Sequence, residues 1–359
     1  MTGTLTSTTE VEAMTNPPQL ATSVIIPVYN GARYLPATLA TVARQTVAPL
    51  EVLVVDDGST DDSAEVVEAF RTAHPELPLR LIRQENAGQS ATRNRAVELA
   101  AGDLIAFLDQ DDRWAPRHIE VLSAPFARDE GVGLSYGDFD EIDGDGNIVV
   151  RGFLAVHNVL HPRSSIMEWL GTDTMVIPTA SMVRREAFLE VGGFDPRLIG
   201  YEDDDLWVRM FRAGWRAHFT PESIAAFRVH PGSSSHRATF RESRVIFLEK
   251  YAALLPDAPE LHRYYVSDML FPRLVRAALG EYLGHLRAHR DDEARATART
   301  VDAMFAIHKS RMLRKPERMV LRHPNLTRAL LRARHLLLVS PRRRLNPQRM
   351  RDAYYGWSG

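Results

Sequence analysis

Short apolar runs alternate with longer amphipathic segments between residues 22 and 108. The runs are rich in β-branched residues and are bounded by turn residues, as strands are: SVIIPV (23–28), EVLVV (51–55), LRLI (79–82) and LIAFL (104–108). The segments between them have apolar residues at helical spacing, over 34–44, 62–73 and 90–100. This alternation predicts parallel strands joined by crossover helices, and therefore an α/β layered domain.

The alternation weakens after residue 130. Residues 138–150 predict a β-hairpin, and residues 151–178 form a long irregular segment, which is typical of a lid or a binding element. PTASMV, at 178–183, predicts one more strand. From residue 241 onward the pattern is helical and is interrupted by prolines.

Three regions follow from this pattern. Residues 1–21 are rich in threonine and are expected to form a disordered tail. Residues 22–240 are expected to form the α/β domain, and residues 241–359 a basic helical C-terminal region.

Composition narrows the class of protein. The chain has 359 residues, of which 45% are hydrophobic and 25% charged, so it is long enough to bury a large core. It has no cysteine, which excludes disulfides and thiolate metal sites and is compatible with a reducing cytoplasm. Its apolar stretches are far shorter than the roughly 20 residues that span a bilayer. A soluble, cytoplasmic protein is expected.

Charge is distributed unevenly along the chain. Residues 241–359 hold 24 Lys and Arg against 12 Asp and Glu, whereas residues 1–240 hold 20 against 34. The acidic body argues against a nucleic-acid-binding core, and no nucleic-acid partner is expected, although the basic tail by itself fits anionic lipid, phosphate or nucleic acid. Residues 309–351 hold 14 basic residues and one acidic residue, Glu317, which indicates an anionic partner such as a membrane surface.

An apolar stripe runs through this basic region. Leu326, Leu330, Ala333 and Leu337 have helical spacing, with Arg328 and Arg332 beside them. One interpretation is an interfacial helix at the inner face of an anionic membrane. The alternative is a helix whose leucines pack on the rest of the protein or on a second subunit.

Candidate chemistry concentrates in the turn after the fourth apolar run. There Asp109, Asp111 and Asp112 follow the strand directly, and three neighbouring carboxylates repel one another unless a cation lies among them. Oxygen ligands suit Mg²⁺ or Mn²⁺, and a diphosphate can supply the remaining ligands. The alternative is a solvated acidic loop.

The other predicted strands end in polar turns at the same edge of the sheet, where α/β domains bind ligands. Pro27 ends the first ladder, and the ring of Tyr29 can stack on a nucleobase or belong to a plain turn. Asp57 ends the second strand, where a carboxylate can accept from a base or a ribose. Arg93 lies in the first turn of a helix, a suitable place for a diphosphate.

Six fragments in this order resemble the family 2 glycosyltransferases of GT-A fold: SVIIPVYN, VVDDGSTDDS, NAGQSATRNRA, FLDQDDRW, GGFD and GYEDDDLWVRM. The resemblance covers about residues 22–235. It implies a nucleoside-diphosphate sugar donor, Mg²⁺ or Mn²⁺ as cofactor, and transfer of the sugar with inversion. It also implies a nucleotide-sugar-binding half at 22–130 and an acceptor-binding half at 131–240.

The resemblance assigns roles to individual residues of the donor side. Asp57 matches the base-recognising aspartate and Arg93 the nucleotide-contacting arginine. Asp109 and Asp111 match the DXD motif, with Asp111 the stronger metal ligand. Asp112 either orients these two or binds hydroxyls of the donor sugar.

On the acceptor side, Glu202 and Asp203 match the ED motif, in which the aspartate is the general base. Asp204 and Asp205 are expected to suit the dipole of a helix N-terminus. His230 lies where related enzymes sometimes supply a third metal or phosphate contact, the alternative being a structural histidine. The processive members carry a QXXRW motif, which LWVRM lacks, so a single sugar addition is expected.

The sequence therefore predicts a metal-dependent inverting glycosyltransferase, hexosyl or related, that acts on a glycan or lipid-linked acceptor in cell-surface polysaccharide or glycoconjugate synthesis. Two rival functions remain at this point. One is a non-catalytic sugar-nucleotide-binding or scaffold protein, and the other is a phosphatase or nucleotidyltransferase with an acidic site.

Overall fold

The computed structural model describes residues 20–159, 161–230, 238–308 and 315–338. The predicted tail, 1–21, therefore lies almost wholly outside the described residues. The chain divides into two compact units, Met1–Arg273 and Leu274–Gly359. The functional boundary predicted near residue 240 stays a prediction.

The first unit begins with the predicted alternation of strands and helices, which is confirmed. Its elements are β1 (Thr22–Val28), α1 (Leu35–Ala43), β2 (Glu51–Asp56), α2 (Ser63–Ala73), β3 (Leu79–Arg83), α3 (Gln89–Leu99) and β4 (Leu104–Phe107). The four strands are parallel, in the order β3-β2-β1-β4. β1 and β2 are buried throughout because helices cover both faces of such a sheet.

Pro27 marks where β1 and β4 separate. The ladder with β4 ends at the pair of Ile25 and Phe107, whereas the ladder with β2 continues to Val28 and Asp56. The carbonyl of Ile25 accepts from the loop after β4, so Pro27, two residues on, also faces β4. A missing N–H costs little there. The loop after β4, residues 108–112, therefore begins where the two strands separate.

The second half of this unit adds strands of both directions to the same sheet. Its elements are β5 (Arg113–Trp114), α4 (His118–Arg128), β6 (Val132–Ile142), β7 (Ile148–Val150), α5 (Phe153–Val156), α6 (Ile166–Gly171), a 3₁₀ turn (Pro178–Ala180), β8 (Ser181–Arg184), α7 (Arg185–Glu190), α8 (Glu202–Arg212) and β9 (Arg216–Arg228). The described residues form one nine-stranded sheet, β3-β2-β1-β4-β8-β6-β9-β5, with β7 on β6. The predicted hairpin is β6–β7, and the 13-residue β9 was not predicted.

Helices follow the sheet. They are α9 (Ala238–Leu254), a 3₁₀ turn (Pro259–Leu261), a π-helical turn (Tyr265–Leu270), α10 (Phe271–Arg287), α11 (Asp291–Ile307), α12 (Lys315–Leu321) and α13 (Pro324–Leu338). Residues 309–314 and 339–359 of the predicted basic helical region lie outside the described residues, so that region as a whole stays a prediction. No described helix combines the length and apolar character needed to cross a membrane.

The second unit holds α13 by polar contacts. The hydroxyl of Tyr282 lies 3.0 Å from that of Thr327, and Arg328 pairs with Asp291. Leu326 and Leu330 of the predicted stripe are 47% and 50% exposed. Within this unit Leu326 and Leu330 therefore face outward, and Arg328 is an internal contact.

Candidate active site

Three strand ends meet at one edge of the sheet, as their parallel direction requires, and we call the surface around the loops that follow them the cleft. Residues 29–30 follow β1, residues 57–58 follow β2 and residues 108–112 follow β4. Tyr29 is 42% exposed, so its ring is available to a ligand. Its amide and carbonyl both bond the side chain of Gln110, at 2.8 and 3.1 Å. The first and third loops are thus fixed to each other.

Asp57 shapes the second loop. Its carboxylate is buried and accepts from the amides of Ala87 and Gly88, at 2.8 and 2.9 Å, and from Gln84 Nε2 at 2.7 Å. Because a carboxylate offers about four acceptor sites, roughly one remains for a ligand. Asp57 therefore lies at the predicted edge, and most of its bonding capacity holds residues 84–88 in place.

Gly88 and Gln89 connect this loop to the acidic turn. Gly88 precedes α3 with φ of +85°, a backbone conformation that glycine adopts without strain. Gln89 Nε2 then donates to Asp109 Oδ1 at 3.2 Å. The start of α3, whose first amides have no partner within the helix, consequently lies between Asp57 and Asp109.

Arg93 joins the two acidic segments of the cleft. Its guanidinium is 1% exposed and lies 2.5 Å from Asp109 and 3.4 Å from Glu202. Burial disfavours the charge, but these carboxylates raise the pKa of Arg93 above its ordinary value. Arg93 therefore holds Asp109 and Glu202 from the interior of the protein. Its predicted contact with a nucleotide stays a prediction.

Asp111 is in direct contact with His230. Oδ2 of Asp111 and Nε2 of His230 are 2.9 Å apart, and both side chains are about one-fifth exposed, at 21% and 17%. Burial and the charge of Asp109 raise the pKa of Asp111. A cation beside Asp111 would relieve this repulsion.

Asp112 points into the protein. It is 1% exposed, and its oxygens accept from the hydroxyl of Thr179 at 2.6 Å and from the amide of Arg228 at 2.7 Å. Burial, and then the charges of Asp111 and Asp109, raise its pKa well above the usual range. Of the two predicted roles, this geometry favours orientation of the loop over contact with a donor sugar.

Thr179 and Arg228 were missed by sequence reasoning. The hydroxyl of Thr179 donates to Asp112, and its oxygen also accepts from the amide of Asp109 at 3.2 Å. Arg228 Nε donates to the carbonyl of Asp111 at 2.6 Å. The one available signal was proximity in sequence: Thr179 lies in the predicted strand PTASMV, and Arg228 lies two residues before His230.

The second acidic segment starts at a strained turn. Tyr201 has φ of +64°, unusual for a residue with a side chain, and it is held by Arg244 Nε at 3.1 Å. Helix α8 begins directly after it, so Glu202 and Asp203 occupy its first turn. Burial and the charges of Glu202 and Asp204 raise the pKa of Asp203 well above its ordinary range.

Asp204 and Asp205 are buried and paired with cations. Asp204 bonds Arg273 and Thr174. Asp205 lies 2.6 Å from Lys250 and 2.7 Å from Arg209. Both lie in the first turn of α8, as predicted, but these ion pairs account for their burial more than the helix dipole does.

A divalent metal fits this cleft with few protein ligands. The described residues contain no group of three or more carboxylates and imidazoles ready to hold a metal ion. Asp111 and His230 can supply two ligand atoms, whereas Asp109 is engaged by Arg93. Mg²⁺ and related ions accept such sparse sites because phosphate and water oxygens complete their shell.

Known proteins resemble this chain in sequence and in fold. The family described as Glycosyl transferase family 2 matches residues 23–192. The uncharacterized glycosyltransferase YibD of Escherichia coli is 38% identical over 283 residues, which are 75% of this chain and 79% of YibD.

Two solved structures share the fold at low identity. TarS 1-349 of S. aureus, in complex with UDP-GlcNAc, has a TM-score of 0.58 at 20% identity and covers 86% of this chain and 89% of its own. The mannosyltransferase PcManGT of Pyrobaculum calidifontis, in complex with GDP-Man and Mn²⁺, has a TM-score of 0.53 at 21% identity, with 95% and 85% covered.

Proposed function

Because the chain belongs to glycosyltransferase family 2, it is a glycosyltransferase of GT-A fold, and we propose that it transfers one sugar, with inversion and with a divalent metal, from a nucleoside-diphosphate donor to a hydroxyl acceptor. One observation carries this proposal. Arg93 draws Asp109 of the DXD loop and Glu202 of the ED motif to the same guanidinium, beside the start of α3. A diphosphate and a general base therefore have places in one cleft.

The donor would lie across the strand ends. The ring of Tyr29 and the loop held by Asp57 would flank the base, and the free amides of α3 would face the diphosphate. TarS is solved with UDP-GlcNAc and PcManGT with GDP-Man, which supports a nucleotide sugar and leaves the base open.

Asp111 and His230 would hold the metal, Mg²⁺ or Mn²⁺. When bound, such an ion offsets the negative charge that gathers on the departing diphosphate. The raised pKa of Asp111 supports this assignment, because burial and the charge of Asp109 cause it and a cation would offset both. PcManGT is solved with Mn²⁺, which supports a divalent metal but not the choice of ligands.

Asp203 would act as the general base. The acceptor oxygen attacks the anomeric carbon, the bond from that carbon to the diphosphate oxygen breaks, and Asp203 takes the hydroxyl proton. A single displacement of this kind inverts the anomeric configuration. A base works best when its pKa is near the working pH, and the raised pKa of Asp203 meets that condition better than an ordinary aspartate does.

The acceptor would be a glycan or a lipid-linked glycan used in cell-surface polysaccharide or glycoconjugate synthesis. Docking of the basic C-terminal region on an anionic membrane, on the cytoplasmic side, would bring the site to a lipid-linked acceptor. The exposed Leu326 and Leu330 support such docking, and each nearby cation adds about 1 kcal/mol.

A thermal-shift screen of nucleotide sugars, with Mn²⁺ or with EDTA, tests this function. We expect at least one donor to raise the melting temperature of the wild type with Mn²⁺ and to have little effect with EDTA, since a ligand that binds the native form stabilises it. Asp111→Asn should lose this dependence on metal. Wild-type protein that binds donors equally well in EDTA would contradict the proposed dependence on a divalent metal. Hydrolysis of simple phosphate esters, without any response to sugar nucleotides, would contradict the proposed transferase activity.

A further inference from the structure

The end of β9 reaches Asp111 at two points. Arg228 is the last residue of the strand, and its Nε donates to the backbone carbonyl of Asp111 at 2.6 Å. His230 follows two residues later, and its Nε2 lies 2.9 Å from the carboxylate of the same residue. Alternate residues of an extended chain project to the same side. One short segment thus holds both the backbone and the side chain of Asp111.

The remaining nitrogens of the Arg228 guanidinium also face the interior of the protein. Arg228 is 2% exposed, so it is not available to a ligand. Its Nη1 donates to the carbonyls of Asp143 and Gly144, at 2.9 and 3.2 Å, at the tip of the β6–β7 hairpin. Its Cζ lies 4.7 Å from the centre of the Tyr34 ring. Three separate segments therefore meet at this one side chain.

The Tyr34 ring extends this support to the imidazole. The ring centres of Tyr34 and His230 are 5.2 Å apart. The amide of Arg228 also donates to Asp112 Oδ1 at 2.7 Å, so the strand end holds two successive residues of the acidic loop. A shift of Arg228 would consequently move Asp111 and His230 relative to each other.

We propose that Arg228 is a positioning residue that sets the spacing between Asp111 and His230 and thereby determines how tightly the cleft binds a divalent metal. The inference rests on the proposed function, because it gives the pair a metal to hold. Arg228 itself contacts no metal and no substrate. It acts through the carbonyl of Asp111 and through the hairpin tip and Tyr34, which fix its own orientation.

The test measures Mn²⁺ binding directly, by electron paramagnetic resonance of free Mn²⁺, in the presence of UDP and in parallel of GDP. Arg228→Lys retains the charge but cannot reach three carbonyls at once, and Arg228→Met removes every donor of the side chain. Losing a group that orients a metal ligand typically weakens metal affinity by about 10–100-fold. We expect a loss in this range for the methionine variant and a smaller one for the lysine variant.

Arg33→Met is the matched control. Arg33 also lies over the Tyr34 ring, at 5.1 Å, and pairs with Asp145 of the same hairpin tip at 3.4 Å. Its side chain is 70% exposed, and among the described residues its contacts do not include the acidic loop. We expect its Mn²⁺ affinity to remain within about twofold of wild type, as for a surface charge.

The outcomes separate the two proposals. Wild-type protein that binds no Mn²⁺ with either nucleotide would refute the metal-dependent function itself. Wild-type binding together with unchanged affinity in a folded Arg228→Met, or in Arg228→Lys where the methionine variant does not fold, would refute the positioning role. Equal losses of Mn²⁺ affinity in Arg228→Met and Arg33→Met would also refute the positioning role. The cause would then be a contact that both arginines share, with the Tyr34 ring or with the tip of the β6–β7 hairpin.

Discussion

Two acidic runs of this chain look alike in the sequence and differ in what balances their charge. The first is DQDD, at 109–112, and the second is EDDD, at 202–205. Within the second run the inner carboxylates are paired with Arg273, Lys250 and Arg209. The inner carboxylate of the first run, Asp112, accepts only from a hydroxyl and a backbone amide among the described residues.

The difference indicates what each run still needs. Arg93 pairs with Asp109 and Glu202. Among the described residues Asp111 pairs with His230 and Asp203 forms no ion pair, and burial and neighbouring carboxylates raise the pKa of each. In the first run a metal can supply the missing charge. In the second run Asp203 can take a proton instead, which is the property of a general base. Two similar runs of acidic residues thus fit two different chemical roles, metal binding and proton transfer.

The largest expected effect is that of Asp203→Asn. An amide cannot take the acceptor proton, and general bases contribute about 10²–10⁴-fold, so we expect transfer to fall by that factor. Donor binding, measured by thermal shift, should be retained, because Asp203 lies in the first turn of α8 and not in the loops that follow β1, β2 and β4. Full transfer activity in this variant would refute the assignment.

The pH profile of the wild type provides a further readout for the same residue. The base works deprotonated, so activity should rise as the pH rises through the pKa of Asp203. Because burial and the charges of Glu202 and Asp204 raise that pKa, the acid limb should lie above the range of an ordinary aspartate. An acid limb near pH 4 would contradict the buried environment.

The second effect in size is that of Arg273→Met, which removes the internal cation of Asp204. Breaking a buried pair from one side leaves an uncompensated charge and costs about 3–5 kcal/mol. We expect a loss of that order in the free energy of unfolding, measured with urea. Arg71→Met is the matched control, because the pair of Arg71 and Glu68 is exposed and should contribute less than about 1 kcal/mol. Similar losses in both variants would remove the contrast between the two runs.

Sequence reasoning could predict whatever depends on local pattern. The four parallel strands and their helices follow from runs of apolar residues, and the edge that carries the carboxylates follows from the direction of the strands. The hairpin at β6–β7 was predicted for the same reason. The proximity of Asp111 and His230 was a prediction from family resemblance, and their side chains do meet.

What escaped prediction depends on partners distant in the chain. β9, in RAHFTPESIAAFR, has few apolar residues in alternation and is a strand because β6 pairs with it. Thr179 and Arg228 act through residues 67 to 117 positions away, and no local pattern encodes such contacts. Pattern reasoning could likewise not decide which carboxylates of an acidic run face inward, because that depends on where a donor or a cation lies in the fold.

The smallest effect we expect is that of Thr179→Val, which tests the neutral support of the first run. Valine keeps the shape but leaves Asp112 Oδ2 without its donor at 2.6 Å, and an unsatisfied buried acceptor costs about 1–3 kcal/mol. The hydroxyl lowers the pKa of Asp112, which is already raised by burial, so its loss raises that pKa further. A raised pKa in the folded state means that stability falls as pH rises, so the deficit of the valine variant in urea unfolding should grow with pH. Thr179→Ser keeps the donor and should remain close to wild type at every pH. A deficit independent of pH, or one shared by serine, would mean that Thr179 contributes by packing and that the first run lacks the support inferred for it.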